Sequence, residues 1–124
     1  PGCIAYDFGD AVRTMCTRTK EDFQKLQYVR IKLSFFEAFT RGFSLHLKSK
    51  ITDAEINSLF DGVKLMPFIM GLRFFTDFMN GNQYYKITFP KQNLVRARNQ
   101  FKLYTSILDN QLDIQEIIKC SFKR

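Results

Sequence analysis

The stretch ITDAEINSLFDGVKLMPFIMGLRFFTDFMNG, residues 51–81, decides the fold. It opens with Thr52 and Glu55, which have the spacing of a capping box, where each side chain accepts a hydrogen bond from the other residue's backbone N–H. It closes with Asn80 and Gly81, residue types that tolerate the positive φ at which many helices end. These two signals predict that the segment between them is helical.

Apolar side chains occur on nearly every side of this segment when it is drawn as a helix. Little polar surface remains, so we expect the segment to lie at the centre of the fold. It is predicted either as one helix or as a short helix that breaks near Asp61 and Gly62 and is followed by a longer one. Pro67 predicts a kink because proline has no backbone N–H to donate.

The rest of the chain is predicted to be helical as well. Apolar residues recur at steps of three and four in residues 33–47 and about 92–109, and the last residues form a short amphipathic helix. Residues 7–16 could open a first helix, while residues 83–90 are predicted as a short extended connection. We therefore expect an all-α helical bundle made of a single helical unit, residues 1–124.

Cysteine usage and hydropathy indicate the cellular setting. Cys3, Cys16 and Cys120 are odd in number, far apart and not spaced like metal ligands, which favours reduced thiols in a cytoplasmic protein. The longest nearly uninterrupted apolar run, residues 65–72, is much shorter than the roughly 20 residues needed to span a bilayer. We therefore expect no membrane partner.

The net charge of +7 would suit a polyanionic partner, but its distribution does not. Basic residues are spread along the chain and interleaved with acidic ones, and the densest group is scattered around much of a helical turn. No basic stripe interleaved with aromatic residues is present, so we expect no nucleic-acid partner. The densest basic group consists of Lys91, Arg96, Arg98 and Lys102.

Several signatures of catalysis are missing from the sequence. It contains no Gly-rich phosphate loop and no His, Cys and Asp cluster at metal-ligand spacing. The one histidine, His46, lies near the end of a predicted helix without the orienting partner that a general base needs. The chain alone does not look like a complete enzyme, and we expect no catalytic residue, metal ligand or cofactor in it.

Arg73 and Asp77 stand out because they are charged residues in an apolar helix. Their spacing of four residues places them on the same face. They are predicted to form either a surface ion pair or a pair of hydrogen-bonding groups at the edge of a binding cleft.

Three stretches together carry a resemblance to a known family. PGCIAYDFGDAVR (1–13), LFDGVKLMPFIMGLRFFTDFMNGNQYYKI (59–87) and FPKQNLVRARNQF (89–101) resemble the C-terminal part of bacterial phosphotransferases of the aminoglycoside phosphotransferase and choline kinase superfamily. The closest match is the branch that includes N-acetylhexosamine 1-kinase. The resemblance runs from Pro1 to about residue 108 and leaves only the last helix uncovered.

The resemblance implies that this chain is the helical C-terminal subdomain of a protein-kinase-like fold. The nucleotide-binding lobe, the catalytic aspartate and the metal-binding carboxylates of the family all lie upstream of the position matching Pro1. The resemblance further implies that the full-length parent transfers the γ-phosphoryl group of ATP to a sugar hydroxyl with Mg²⁺. ATP and Mg²⁺ would belong to the parent, and this chain would bind the sugar.

The resemblance also implies roles for individual residues. The positions matching Arg73 and Tyr84 look like ligands of sugar hydroxyls, and Asp77 is either a third ligand or a salt-bridge partner that orients Arg73. Asp7 resembles the aspartate that supports the backbone of the catalytic loop, although it could also be a simple helix cap. Relatives tend to have polar or acidic residues where this chain has Ile69 and Met70, which fits a less polar sugar pocket or a product that has lost activity.

The predicted partners follow from these alternatives. A kinase subdomain would contact the rest of the kinase, or would self-associate through the apolar surface exposed when it stands alone. The alternative is a catalytically inactive helical interaction module.

Overall fold

A computed structural model describes residues 3–123 as five α-helices, with no strand in that range; the longest connections are residues 16–32 and 80–91. The predicted all-α bundle is confirmed. One turn of 3₁₀ helix, Leu26–Tyr28, interrupts the connection between the first two helices. The helices are α1 (Ile4–Met15), α2 (Leu33–Leu47), α3 (Asp53–Met79), α4 (Gln92–Asp109) and α5 (Gln111–Ser121).

The central helix α3 begins where the sequence predicts. The Thr52 hydroxyl accepts a hydrogen bond from the Glu55 backbone N–H at 3.1 Å, and the Glu55 carboxylate accepts one from the Thr52 backbone N–H at 3.0 Å. These two bonds satisfy N–H groups that have no partner inside the helix. The capping box is therefore confirmed.

The helix α3 is a single element, and the alternative with a break near Asp61 and Gly62 is wrong. It also continues through Pro67, which is buried. Tertiary packing stabilises a helix beyond what the local propensity of glycine and proline allows. The kink at Pro67 stays a prediction.

A close helix crossing explains why α3 contains a glycine that does not end the helix. Gly9 of α1 and Gly62 of α3 lie where the two helices cross, and a Cβ atom added to either would overlap the backbone of the other helix. At Gly62 the overlap would be with the backbone carbonyl of Ala5. The absent side chain thus permits a close α1–α3 contact, so Gly62 serves packing rather than helix termination.

The core lies between α3 and its neighbours. The helix α3 packs mainly against α1 and α4, while α2 packs against α5. The Phe8 ring on α1 lies 4.9 Å from that of Phe43 on α2, and the Phe43 ring lies 6.3 Å from that of Phe122 at the end of α5. Aromatic packing therefore joins three helices into one core.

Only one side of α3 is buried, so the prediction of a helix surrounded by the fold is wrong in this respect. Five large apolar side chains on the other side are exposed to solvent. Apolar composition shows that a helix can be buried but does not show how many neighbours the chain supplies. We call these residues the α3 stripe: Leu65, Phe68, Leu72, Phe75 and Met79.

The three cysteines are free thiols, and Cys16 is buried while Cys3 and Cys120 are exposed. Burial raises the pKa of the Cys16 thiol to about 12, because an apolar environment disfavours the charged thiolate.

Within residues 3–123 we find no helix whose length and hydropathy would let it cross a membrane.

Candidate functional site

The predicted site residues come together at one cleft beside the C-terminal half of α3. The cleft has a volume of about 550 Å³, and Arg73, Asp77 and Tyr84 all line it. We call it the Arg73 cleft. Its remaining lining residues are Ile69, Leu72, Thr76, Asn80 and Tyr85.

A tight turn after α3 brings the chain back to form the second wall of the cleft. Gly81 and Asn82 have φ values of 85° and 61°, in the left-handed region. The Asn82 backbone N–H donates a hydrogen bond of 2.8 Å to the carbonyl of Asp77, and the Gly81 backbone N–H donates one of 3.2 Å to the carbonyl of Phe78. This pattern is typical of helix C-termini that end at a glycine, and it reverses the chain toward Tyr84.

Asp77 holds the returning chain in place. Its carboxylate accepts hydrogen bonds from the backbone N–H groups of Tyr84 at 2.8 Å and Tyr85 at 3.0 Å, and from the side-chain amide of Asn93 at 2.8 Å. The residue is only 6% exposed. The backbone hydrogen bond from Tyr85, with the hydrogen bonds from Tyr84 and Asn93, outweighs the opposite effect of desolvation and holds the pKa of Asp77 below its ordinary value.

The predicted pairing of Asp77 with Arg73 is wrong. No ion pair joins these two residues in the part of the chain that the structure describes. The Asp77 carboxylate instead accepts hydrogen bonds from the loop and from α4, and the residue is largely buried. A direct role of Asp77 as a sugar ligand stays a prediction.

Buried polar residues of α4 extend this network. Asn93 is fully buried, and its side-chain amide also donates a hydrogen bond of 3.2 Å to the side-chain oxygen of Asn82. Arg96 donates through Nη1 to the Asn93 side-chain oxygen at 2.8 Å and to the backbone carbonyl of Lys86 at 3.0 Å. The guanidinium lies 5.6 Å from the centre of the Phe74 ring. The loop is thus fixed at both ends.

Neither Asn93 nor Arg96 stands out as a site residue in the sequence, where Arg96 belongs to a scattered basic group. A weak signal existed, because a polar residue at a buried helix position must find a hydrogen-bonding partner. Its partner cannot be identified from spacing alone.

Tyr84 presents an aromatic surface at the mouth of the cleft. The residue is 82% exposed, while its ring packs edge-on against Tyr85 at 4.8 Å between centroids. The Tyr85 ring in turn lies 4.8 Å from that of Phe74 on α3. These ring contacts tie Tyr84 to the core, while most of its side chain stays open to a ligand.

Arg73 faces the same cleft as an exposed side chain with no acidic partner within residues 3–123. Its guanidinium therefore keeps its fork of hydrogen-bond donors for a ligand. Ile69 and Leu72 add an apolar surface. Donors beside an aromatic ring and an apolar wall suit a small molecule with several hydroxyl groups and an apolar face.

A second cleft, of about 450 Å³, lies between α1, the segment after it and α4. Its central cation is Arg13, which pairs with Asp10 at 2.8 Å and Glu21 at 2.9 Å. These carboxylates neutralise its charge, so we regard this cleft as the weaker candidate.

Asp7 does not cap a helix, and that interpretation is wrong. The helix α1 begins earlier, at Ile4, with Cys3 at the cap position and no side-chain cap. Asp7 lies exposed in the first turn, where a carboxylate interacts favourably with the helix dipole. Its implied role in supporting a catalytic loop stays a prediction.

No model of a known protein family matches the chain.

Among residues 3–123, no three His, Cys, Asp or Glu side chains are grouped so that they could hold a metal ion. None of the steps proposed below runs through a metal held by this chain.

We expect Asp77→Asn to loosen the Tyr84 loop. An amide has one acceptor oxygen where the carboxylate has two, so at least one of the three donors loses its partner. Amide hydrogen exchange at Tyr84 and Tyr85 should become about 10-fold faster or more, because local opening then needs less free energy. Asp109→Asn, at an exposed position, is the matched control and should leave both rates unchanged.

The same bonds predict a pH dependence. The pKa of Asp77 is lower in the folded state than in the unfolded chain, so its stabilising effect is present above the unfolded value of about 3.9. It is lost as the pH falls through the lower, folded pKa. Backbone NMR shifts of Tyr84 and Tyr85 should therefore stay constant near neutral pH and change only in strong acid; a transition near pH 6 would contradict this assignment.

Proposed function

We propose that this chain is the sugar-binding helical subdomain of an ATP-dependent sugar kinase that acts on an N-acetylhexosamine-like substrate. The observation that carries the proposal is the placement of Arg73 and Tyr84. The family resemblance matches these two positions to sugar-hydroxyl ligands, and although they lie in different elements they line one cleft.

The proposed role of the chain is to position the sugar. Phosphoryl transfer depends mainly on alignment and on electrostatic stabilisation, so a wall that fixes the acceptor hydroxyl contributes directly to rate. Arg73 would donate hydrogen bonds to sugar oxygens, and the Tyr84 ring would pack against the sugar. In the full-length parent, ATP, Mg²⁺ and the catalytic aspartate would be held by residues upstream of Pro1.

Two further residues support a role in sugar binding. Ile69, where relatives tend to be polar, lines the Arg73 cleft and gives it an apolar side that would suit the methyl group of an acetamido substituent. Asp77 is assigned a positioning role, because its bonds to the backbone of Tyr84 and Tyr85 fix the loop that presents the aromatic ring.

The alternative function is that of a catalytically inactive helical interaction module. The exposed α3 stripe favours it, because large apolar side chains in a row are typical of a docking surface. An interaction module would not require Arg73 to remain free of an acidic partner, whereas a sugar site does.

We expect the isolated chain neither to hydrolyse ATP nor to phosphorylate any sugar. The resemblance assigns the nucleotide site, the metal ligands and the nucleophile-activating aspartate to upstream residues, and the remaining groups only position a substrate. Purified chain should give no turnover above a mock purification. Turnover that EDTA abolishes would contradict the prediction.

The upstream DNA provides the test that separates the two functions. A reading frame continuous with the Pro1 codon that encodes a His-x-Asp-x₄-Asn segment and an Asp-x-Asp pair would support the kinase. The longer product should then phosphorylate N-acetylhexosamines. A frame that lacks both motifs would contradict the proposal and favour the interaction module.

A further inference from the structure

The α3 stripe has the spacing of a coiled-coil seam. Its five side chains follow one another at steps of three, four, three and four residues, which corresponds to the a and d positions of two heptads. We propose that the α3 stripe is the interface through which two copies of this chain form a symmetrical dimer. This inference does not rest on the proposed sugar site, although Leu72 belongs to both the α3 stripe and the wall of the Arg73 cleft.

The stripe is separate from the surface that α3 uses within the fold. Gly62, Val63 and Phe74 are buried on the opposite side, where α3 packs against α1 and α4. Along the stripe the exposed fraction reaches 68% at Met79. Within residues 3–123, the Phe68 ring contacts Phe101 and Tyr104 of α4, at 5.9 and 5.2 Å between ring centres, while all five stripe side chains keep a solvent-exposed part.

A second copy of the same helix fits the stripe because it has the same repeat. Knobs-into-holes packing requires that both helices place apolar side chains every 3.5 residues on average. A second α3 meets this requirement by identity, and a two-fold axis makes the contact closed rather than open-ended.

The exposed area is adequate for a dimer. The five side chains expose roughly 500 Å² in each copy, so a pair would bury roughly 1,000 Å², the lower limit for a specific interface. The apolar surface also continues onto α4, because the Phe68 ring lies 5.2 Å from that of Tyr104 and Leu108 is exposed one turn further along.

The charges around the stripe leave a repulsion that salt can screen. Asp61 and Lys64 form an ion pair with each other at 3.6 Å, whereas Arg73, next to Leu72, has no acidic partner within residues 3–123. Arg73 and the rest of the net charge of +7 therefore repel between two copies. Added salt screens that repulsion, so it should strengthen the dimer.

Sedimentation equilibrium of the 124-residue chain tests this proposal. The wild-type chain should be a dimer at micromolar concentration, with a tighter dissociation constant at higher salt. Leu72→Glu and Met79→Glu should each raise that constant by about 100-fold or more, because each places a charge in an apolar contact. Met79 is at the end of α3, so its substitution should not disturb the fold.

Leu45→Glu on α2 is the matched control, since Leu45 is 83% exposed and lies outside the stripe. It should dimerise like the wild-type chain, and circular dichroism should show the same helix content in all four proteins. A wild-type monomer at high micromolar concentration would overturn the proposal. So would stripe variants that associate as strongly as Leu45→Glu.

Discussion

Gly62→Ala should lower the free energy of unfolding by about 3 kcal/mol, the largest stability effect that we expect from a single methyl group in this chain. The new Cβ would overlap the backbone carbonyl of Ala5, and a backbone atom cannot move aside as a side-chain end can. The helices α1 and α3 must therefore separate, which loosens the most central contact of the fold.

Gly42→Ala is the matched control for this prediction. Gly42 also lies inside a helix, but a Cβ there would meet nothing within 4 Å. Alanine has the better helix propensity, so this variant should gain about 0.5 to 1 kcal/mol. Urea unfolding of both variants measures the difference, and a Gly62→Ala protein as stable as the wild type would show that α1 and α3 do not cross so closely.

In the full-length parent, Arg73→Ala should lower kcat/KM for the sugar about 10- to 150-fold. This corresponds to a loss of about 1.5 to 3 kcal/mol of transition-state stabilisation. The expected cause is the loss of hydrogen bonds between a charged donor and sugar hydroxyls, so KM for ATP should change little. Tyr84→Ala should cost more than Tyr84→Phe if the ring packs against the sugar. Steady-state kinetics with each substrate varied in turn measures these effects.

Arg98→Ala is the control for the loss of positive charge, because Arg98 is exposed on α4 and does not line the Arg73 cleft. It should keep wild-type kinetics. Thermal unfolding of the Arg73→Ala protein separates a ligand from a structural residue. Wild-type sugar kinetics with an unchanged unfolding midpoint would show that Arg73 binds no sugar.

The parts of the fold that depend on neighbouring residues were predictable from the sequence. The helix α3 has Thr52 as its N-cap and Asn80 as its C-cap. Each end follows from residues that lie within a few positions of it in the sequence. The helix predicted at about residues 92–109 is observed at Gln92–Asp109. Residues 83–90 form a connection without a strand, as expected.

The parts that depend on distant residues were not predictable. Gly62 resembles a helix break in the sequence, because the local residues do not reveal its contact with α1. That contact is the reason why the position requires glycine. Asp77 looked like the partner of Arg73 because helical spacing brings them together, yet its true partners are backbone groups of a loop and a side chain of α4. One-sided burial of α3 likewise depends on which neighbours the chain supplies.

In the candidate site, too, the contacts between distant residues were not predictable. Arg73 and Tyr84 were identified through a family resemblance, and the turn at Gly81 and Asn82 is what brings them to one cleft. Asn93 and Arg96 support that turn from another helix, so no pattern within residues 71–85 points to them.

The most direct test of the sugar-binding account is an NMR titration of the ¹⁵N-labelled chain with N-acetylglucosamine and N-acetylgalactosamine. We expect saturable shift changes in the millimolar range at the backbone amides of Arg73, Tyr84 and Tyr85, with little change on α2 and α5. Arg73→Ala should abolish them, and Arg98→Ala should preserve them. Spectra that stay unchanged through the millimolar range, or changes that Arg73→Ala leaves intact, would contradict the assignment of the Arg73 cleft as a sugar site.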